Sequence, residues 1–214
     1  SQERRAENKI YVCNNIKNKT TKHYISEINS CDIDNFGSAK TLQIKLSNKS
    51  NKFLLRLTMT YIRTEIPVFI MFKALGVVTD KEILHNIFLE IKPEYLELIT
   101  FLMSCEKDNS DILTQEDAQE YITTHLPNST FNTIVYKDFL PHVGRSYKKK
   151  ALTLGLMIKK LLMVYFKQIP YDDRDSYLNK RIDHAGILMG TNFKYNYNKL
   201  IKELKTNLSK ELNN

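Results

Sequence analysis

Tryptophan is absent from this 214-residue chain, and glycine occurs only 6 times. So little glycine leaves scant material for a phosphate-cradling loop, and neither Gly-x-Gly-x-x-Gly nor Gly-Lys-Ser/Thr occurs. Cysteine is equally sparse. Cys13, Cys31 and Cys105 stand far apart with no Cys-x-x-Cys pair, which indicates neither a zinc site nor a disulfide framework. Three such thiols are expected to be reduced, inside a cell. His23, His85, His125, His142 and His184 lack close metal-ligand spacing. The most apolar stretch, 152–166, is broken by Lys159 and Lys160 and is too short to span a bilayer, so no membrane partner is expected. The opening residues 1–5 are charged, with no apolar run of the kind a secretory leader carries and no initiator Met. Residues 208–214 stop inside a helical pattern, and the expectation is a soluble segment of something longer.

What is present suits one globular domain, or one with a sub-lobe: 42% hydrophobic residues, 26% charged, 12 Tyr and 10 Phe. The net charge of +8 biases the surface toward nucleic acid or acidic proteins. Abundant Asn and Lys also reflect a compositional bias, so a merely solvated basic surface stays open beside a ligand-binding one.

The first quarter reads as strands. Segments 9–14, 23–30, 41–47 and 53–59 have strand length and lie between turn formers, at 14–15, 35–38 and 47–51. In 41–47, Leu42, Ile44 and Leu46 alternate with polar residues, which predicts one face on a core. A small antiparallel sheet follows. Beyond Tyr61 the period becomes helical. Pro67 enters and Gly76 closes a helix whose core residues are expected to be Phe69, Phe72 and Leu75. Thr79 and Glu82 form a capping-box pattern for a helix running toward Glu90. Pro93 starts another, with Tyr95, Leu96, Ile99, Leu102 and Met103 as its inner stripe. Thr114 caps a short helix through Tyr121 and Ile122. The longest helix is predicted over about 146–167, burying Leu154, Ile158, Leu161, Leu162 and Tyr165. A Lys-rich amphipathic helix over 195–212 has Leu200, Ile201, Leu204 and Leu208 as its stripe. The fold class is therefore α+β, a small antiparallel sheet followed by a mainly helical part.

Few residues invite chemistry. His142, in the turn 140–144, reads as a hydrogen-bonding turn histidine, because a general base needs a second positioned group. Asp172, Asp173, Arg174 and Asp175 form the one acidic cluster. With an arginine competing for the carboxylates it reads as a structural ion-pair loop rather than a metal site, and a magnesium-dependent nuclease is a weak third possibility. Lys148, Lys149, Lys150, Lys180 and Arg181 could each neutralise a phosphate without reading sequence. The three lysines at the start of the long helix oppose its dipole by roughly 0.3–1 kcal/mol each, so something else should favour them there. Tyr195 and Tyr197, beside Lys194 and Lys199, read as packing residues rather than base-stacking platforms.

Four stretches, in order, resemble the second-largest (beta-like) subunit of multisubunit DNA-directed RNA polymerases, in its lobe. Residues 1–8, Ser-Gln-Glu-Arg-Arg-Ala-Glu-Asn, are similar to the entry into the lobe. The phrase at 61–83, with Ile66-Pro67, an apolar run and Phe72-Lys73-Ala74-Leu75-Gly76, is the most specific. Phe139-Leu-Pro-His-Val-Gly144 resembles the turn before the long helix, and 172–186 the return from the lobe. Lys73 replaces the family's arginine, and Ser176 and Leu178 stand where the family has His and Gly, as His184 does for an aliphatic residue. The resemblance implies a lobe domain over 1–190 (strand-rich 9–60, helical 61–170, return 171–190), with 191–214 beginning the following protrusion segment. It implies a non-catalytic wall of the DNA cleft near the downstream duplex, in contact with other polymerase subunits and transcription initiation factors. No cofactor is expected in this segment, with Mg²⁺ and Zn²⁺ held elsewhere in the enzyme. The Asn/Lys-rich character is similar to that of a large DNA virus, implying virion and host cytoplasm, or the nucleus for a cellular enzyme. The alternative is a free-standing basic module that binds nucleic acid or a partner without catalysis.

Overall fold

Alternating apolar and polar residues become a sheet, as Leu42, Ile44 and Leu46 are all buried while Thr41, Gln43 and Lys45 between them are only partly so. The computed structural model describes residues 2–15, 23–32, 39–49, 52–60, 62, 64–90, 92–105, 112–125, 131–173 and 175–212. The strands are β1 (Gln2–Arg5), β2 (Ile10–Asn15), β3 (His23–Ser30), β4 (Lys40–Lys49), β5 (Lys52–Met59), β6 (Ile66–Pro67) and β7 (Lys180–Asp183). The helices are α1 (Val68–Ala74), α2 (Asp80–Phe88), α3 (Leu96–Ser104), α4 (Gln115–Thr124), α5 (Phe131–Lys137), α6 (Tyr147–Tyr165) and α7 (Ala185–Leu212). The α+β class is thus realised, and the four strands expected from segment length and flanking turn formers are β2 to β5. The turn at 35–38 and part of that at 47–51 lie outside the described residues.

The chain divides into two units, residues 7–173 and residues 1–6 with 174–214. In the larger, β2 to β6 form one antiparallel sheet in chain order, with Leu42 opposite Met59, Ile44 opposite Leu57 and Leu46 opposite Leu55. This face and the helices share one core, where Phe72, Phe139, Leu154 and Ile158 are all fully buried. Phe69, Phe72 and Leu75 are buried as expected. Both capping patterns form: Thr79 Oγ1 accepts from the Glu82 N–H at 3.3 Å, and Thr114 Oγ1 from the Asp117 N–H at 3.2 Å. Gly76 takes a φ of +89° just past α1, a conformation that suits glycine and ends the helix.

Some elements differ from expectation. Helix α3 is rotated from the predicted stripe. It buries Leu98 and Leu102, while Leu96 and Met103 face water and Tyr95 and Ile99 lie at the margin. Tyr165 is half-buried in an aromatic group, its ring 5.0 Å from Phe101 and 5.2 Å from Tyr24. Lys73 donates to the Ile112 carbonyl at 2.6 Å, a single acceptor that needs no guanidinium fork. In the smaller unit β1 pairs with β7, with Gln2 opposite Asp183 and Arg5 opposite Lys180. Leu178 there sits in a 3-10 turn and is exposed, and its φ is not positive, so no glycine is required. Helix α7 begins ten residues before the predicted start and buries no side chain.

Candidate nucleic-acid interface

The basic residues at the start of α6 separate by helical phase. Lys148 and Lys149 are exposed, whereas Lys150 is fully buried. Lys150 stands four residues before Leu154 and eight before Ile158, on the stripe that faces the core. Its Nζ donates to the Phe139 carbonyl at 2.5 Å and to the Val135 carbonyl, and lies 5.9 Å from the Phe139 ring centre. Those carbonyls belong to α5 and the turn after it, where a helix end leaves acceptors without partners. Lys150 satisfies them, so its place in the sequence has a structural cause. The expectation that Lys150 faces DNA is corrected: its side chain is fully buried and its ammonium is bound to backbone carbonyls. Burial lowers its pKa to about 8.

The turn above Lys150 is held from both sides. Leu140 takes a φ of +48°, unusual for a leucine, with its side chain fully buried. His142, two residues on, meets Ser30 of β3: ring Nδ1 and Ser30 Oγ are 2.6 Å apart, and the His142 N–H donates to the same oxygen at 3.3 Å. Ser30 Oγ thus meets both the ring and the backbone N–H of His142, an arrangement that a neutral ring can satisfy. Burial and, secondarily, the nearby Lys150 charge both lower the His142 pKa, favouring that form. His142 is a hydrogen-bonding turn residue.

Beyond this turn, Arg145, Lys148 and Lys149 are exposed, as is Lys137 at the end of α5. The sole acid among residues 131–150, Asp138, already pairs with Lys40 at 3.2 Å. Tyr147 at the start of α6 stacks on Tyr136 of α5, with centroids 6.0 Å apart and planes at 27°. Neither tyrosine stands in a recognised motif. The pair's signal in the sequence is an aromatic beside a base at each site, Tyr136-Lys137 and Tyr147-Lys148.

The acidic cluster is divided. Asp172 accepts from Lys160 Nζ at 2.8 Å and from the Val12 N–H at 2.9 Å, so its carboxylate ties α6 and the edge strand β2 to the loop. Lys160 also donates to the Ile10 carbonyl at 2.8 Å. Asp173 and Asp175 are exposed, and Arg174 lies outside the described residues. Among the described residues no three His, Cys, Asp or Glu side chains converge as metal ligands would.

In the smaller unit, Lys180 pairs with Glu3 at 3.2 Å and lies 5.2 Å from the Tyr177 ring centre. The hydrogen bond to Glu3, then its charge, raise the Lys180 pKa. Lys180 is thus a partly engaged cation, while Arg181 is exposed. Tyr195 and Tyr197 stay largely in water on α7 and join no core, against the expectation of packing. Among the described residues Tyr197 stacks on Phe193, with centroids 6.2 Å apart. No helix among the described residues is long and apolar enough to cross a membrane.

Along its whole length the chain is similar in sequence to subunits of one enzyme class. The chain is 31% identical over its full length to the DNA-directed RNA polymerase II subunit 2 of Arabidopsis thaliana, covering 19% of that protein. It is 29% identical over its full length to the RNA polymerase II subunit RPB2 of Encephalitozoon cuniculi, again covering 19%. Over 69% of the chain it is 31% identical to the DNA-directed RNA polymerase subunit Rpo2N of Methanocaldococcus jannaschii, covering 31% of that subunit. The chain therefore spans about a fifth of the two eukaryotic relatives. The family described as RNA polymerase Rpb2, domain 2, matches residues 6–183, and the chain belongs to that family.

Proposed function

We propose that this chain is the lobe segment of the second-largest subunit of a DNA-directed RNA polymerase, a non-catalytic wall of the DNA cleft. The observation that carries the reading is the family match over 6–183. It takes in the Ile66–Gly76 phrase, the turn at 139–144 and the return at 172–183. A free-standing basic module is disfavoured, because the likeness to polymerase subunits runs along the whole chain. On this reading 1–190 is the lobe and 191–214 begins the protrusion segment. Nucleotide polymerisation and its metals belong to other parts of the enzyme, whose subunits and initiation factors are the partners. Lys148, Lys149 and Arg181 are the residues proposed to face downstream duplex, with Lys180 contributing the charge that Glu3 leaves. Their exposure supports contact with phosphates, which positions DNA without reading it.

A tag placed on this chain within its parent protein tests the reading. It should retrieve DNA-templated ribonucleotide polymerisation together with further subunits. Retrieval of the parent protein alone, without template-dependent synthesis, would sink the assignment.

A further inference from the structure

Four exposed cations, Lys137, Arg145, Lys148 and Lys149, lie within two residues of either Tyr136 or Tyr147. None of the four has an ion-pair partner among the described residues, and the one nearby acid, Asp138, is taken by Lys40. The positive charge here comes from side chains, so it does not depend on the dipole of α6.

The two rings are built rigidly. Tyr147 donates from its hydroxyl to Asn132 Oδ1 at 2.5 Å and sits edge-on to buried Phe131, with centroids 6.4 Å apart. Burial, then the hydrogen bond with Tyr136, push its phenol up to about 12, so it remains a neutral donor. Tyr136 rests on Tyr147 and remains 43% exposed. A large ring held half in water by a second ring offers an exposed aromatic surface on which a flat group can stack.

We propose that the Tyr136 ring takes an unpaired base of a single-stranded nucleic acid, with Lys137, Arg145, Lys148 and Lys149 on the flanking phosphates. The pattern of charge and ring together carries the choice. Duplex DNA presents phosphates to the cations but keeps its bases stacked inside, leaving the ring unused. An acidic peptide would likewise satisfy the cations and ignore the ring. A single strand offers both phosphates and a free base face, and stacking on an aromatic side chain is tolerant of sequence. The proposal rests on the polymerase reading only for the class of ligand. It places an unpaired stretch of strand, rather than duplex alone, against this face.

The test uses the 214-residue chain, a fluorescent oligothymidylate, and a duplex of unrelated sequence. Tyr136→Ala should weaken oligothymidylate binding by roughly 5- to 150-fold, the range expected for one stacked base, and leave duplex binding within about twofold. Tyr136→Phe keeps the ring and should retain most of the affinity. Replacing Lys148 and Lys149 together by Ala should weaken both ligands and flatten the salt dependence for the single strand by roughly 1.4 in the log–log slope. Tyr136 is half exposed, so its removal leaves the core intact, and an unchanged melting temperature checks this. Equal single-strand binding by wild type and Tyr136→Ala overturns the proposal while leaving the duplex-facing reading untouched. So does an oligoglutamate that binds with the same dependence on Tyr136. Binding of neither nucleic acid overturns both.

Discussion

At the scale of single residues, the chemistry of Lys150 is the most exposed to test. Its ordinary pKa of 10.5 is lowered to about 8 by burial. A lysine so shifted binds fewer protons in the folded than in the unfolded chain between those values, and stability rises with pH wherever the unfolded state holds more protons. The sign is therefore fixed. Below about pH 8 the burial cost is fully present, and it is relieved as pH climbs toward 10.5, by at most about 1.4 kcal/mol per pH unit. The neutral amine keeps two N–H donors, enough for the Val135 and Phe139 carbonyls. Lys150→Met removes the titration and leaves both carbonyls without their donor, at a cost of about 2 kcal/mol near neutral pH. Urea unfolding at pH 7 and 9.5 should show the gap between wild type and variant widening at the higher pH. Parallel curves would mean that Lys150 does not titrate in this range. The comparison must be made between the two proteins, because Cys105, raised to about 11 by burial, loses stability as pH rises above its ordinary value of 9.0. Lys150 was within reach of the sequence: carrying the stripe of Leu154 and Ile158 back by one turn puts it inside. The eye instead groups it with Lys148 and Lys149, since three adjacent lysines look alike until helical phase separates them.

At the scale of elements, the contact between α2 and α6 turns on Gly155. A Cβ built there would meet the Asn86 carbonyl oxygen at 2.2 Å and the Ile87 Cα at 3.0 Å, both backbone atoms that cannot swing aside. Gly155→Ala should therefore part the two helices and cost about 2–4 kcal/mol, against the usual benefit of alanine within a helix. Gly190→Ala in α7, where a Cβ would meet nothing within 4 Å, is the contrasting case and should add helix stability of about 0.5–1 kcal/mol. Thermal melts of both variants check the pair, and equal effects would show that the close approach at Gly155 is unimportant. Sequence alone gives no sign that Gly155 meets another helix's backbone while Gly190 does not. What it did show were the devices written in neighbouring residues: the caps at Thr79 and Thr114, the Pro67 and Gly76 boundaries, and the alternation of β4. It does not show α5, seven residues whose Thr133, Ile134 and Val135 are β-branched and give little helical signal, or the pairing of β1 with β7, polar strands nearly the length of the chain apart. The α3 stripe is right at Leu102 but includes Leu96 and Met103 in place of Leu98, because all are about equally apolar and only packing chooses between them.

At the scale of the whole molecule, the two units differ in what holds them. Residues 7–173 contain the five-stranded sheet and the core around Phe72, Phe139 and Leu154. The smaller unit has one two-stranded ladder and α7, whose Leu200, Leu204 and Leu208 are each about half exposed. A two-stranded ladder is marginal in water, and most helical stability in proteins comes from tertiary packing of an apolar face. The Lys199–Glu203 pair, at 4.0 Å and exposed, adds only a few tenths of a kcal/mol. Local opening should therefore cost far less in α7 than in α6, where nine residues are buried. Hydrogen exchange on the 214-residue chain should find the amides of 195–212 exchanging well before those of 154–162. Limited trypsin digestion should cut at Lys199, Lys202, Lys205 or Lys210 well before Lys159 or Lys160 in α6. If other parts of the proposed subunit cover this stripe, α7 should gain protection in the parent protein. Equal protection of α6 and α7 in the 214-residue chain would show that α7 is stable without any such cover.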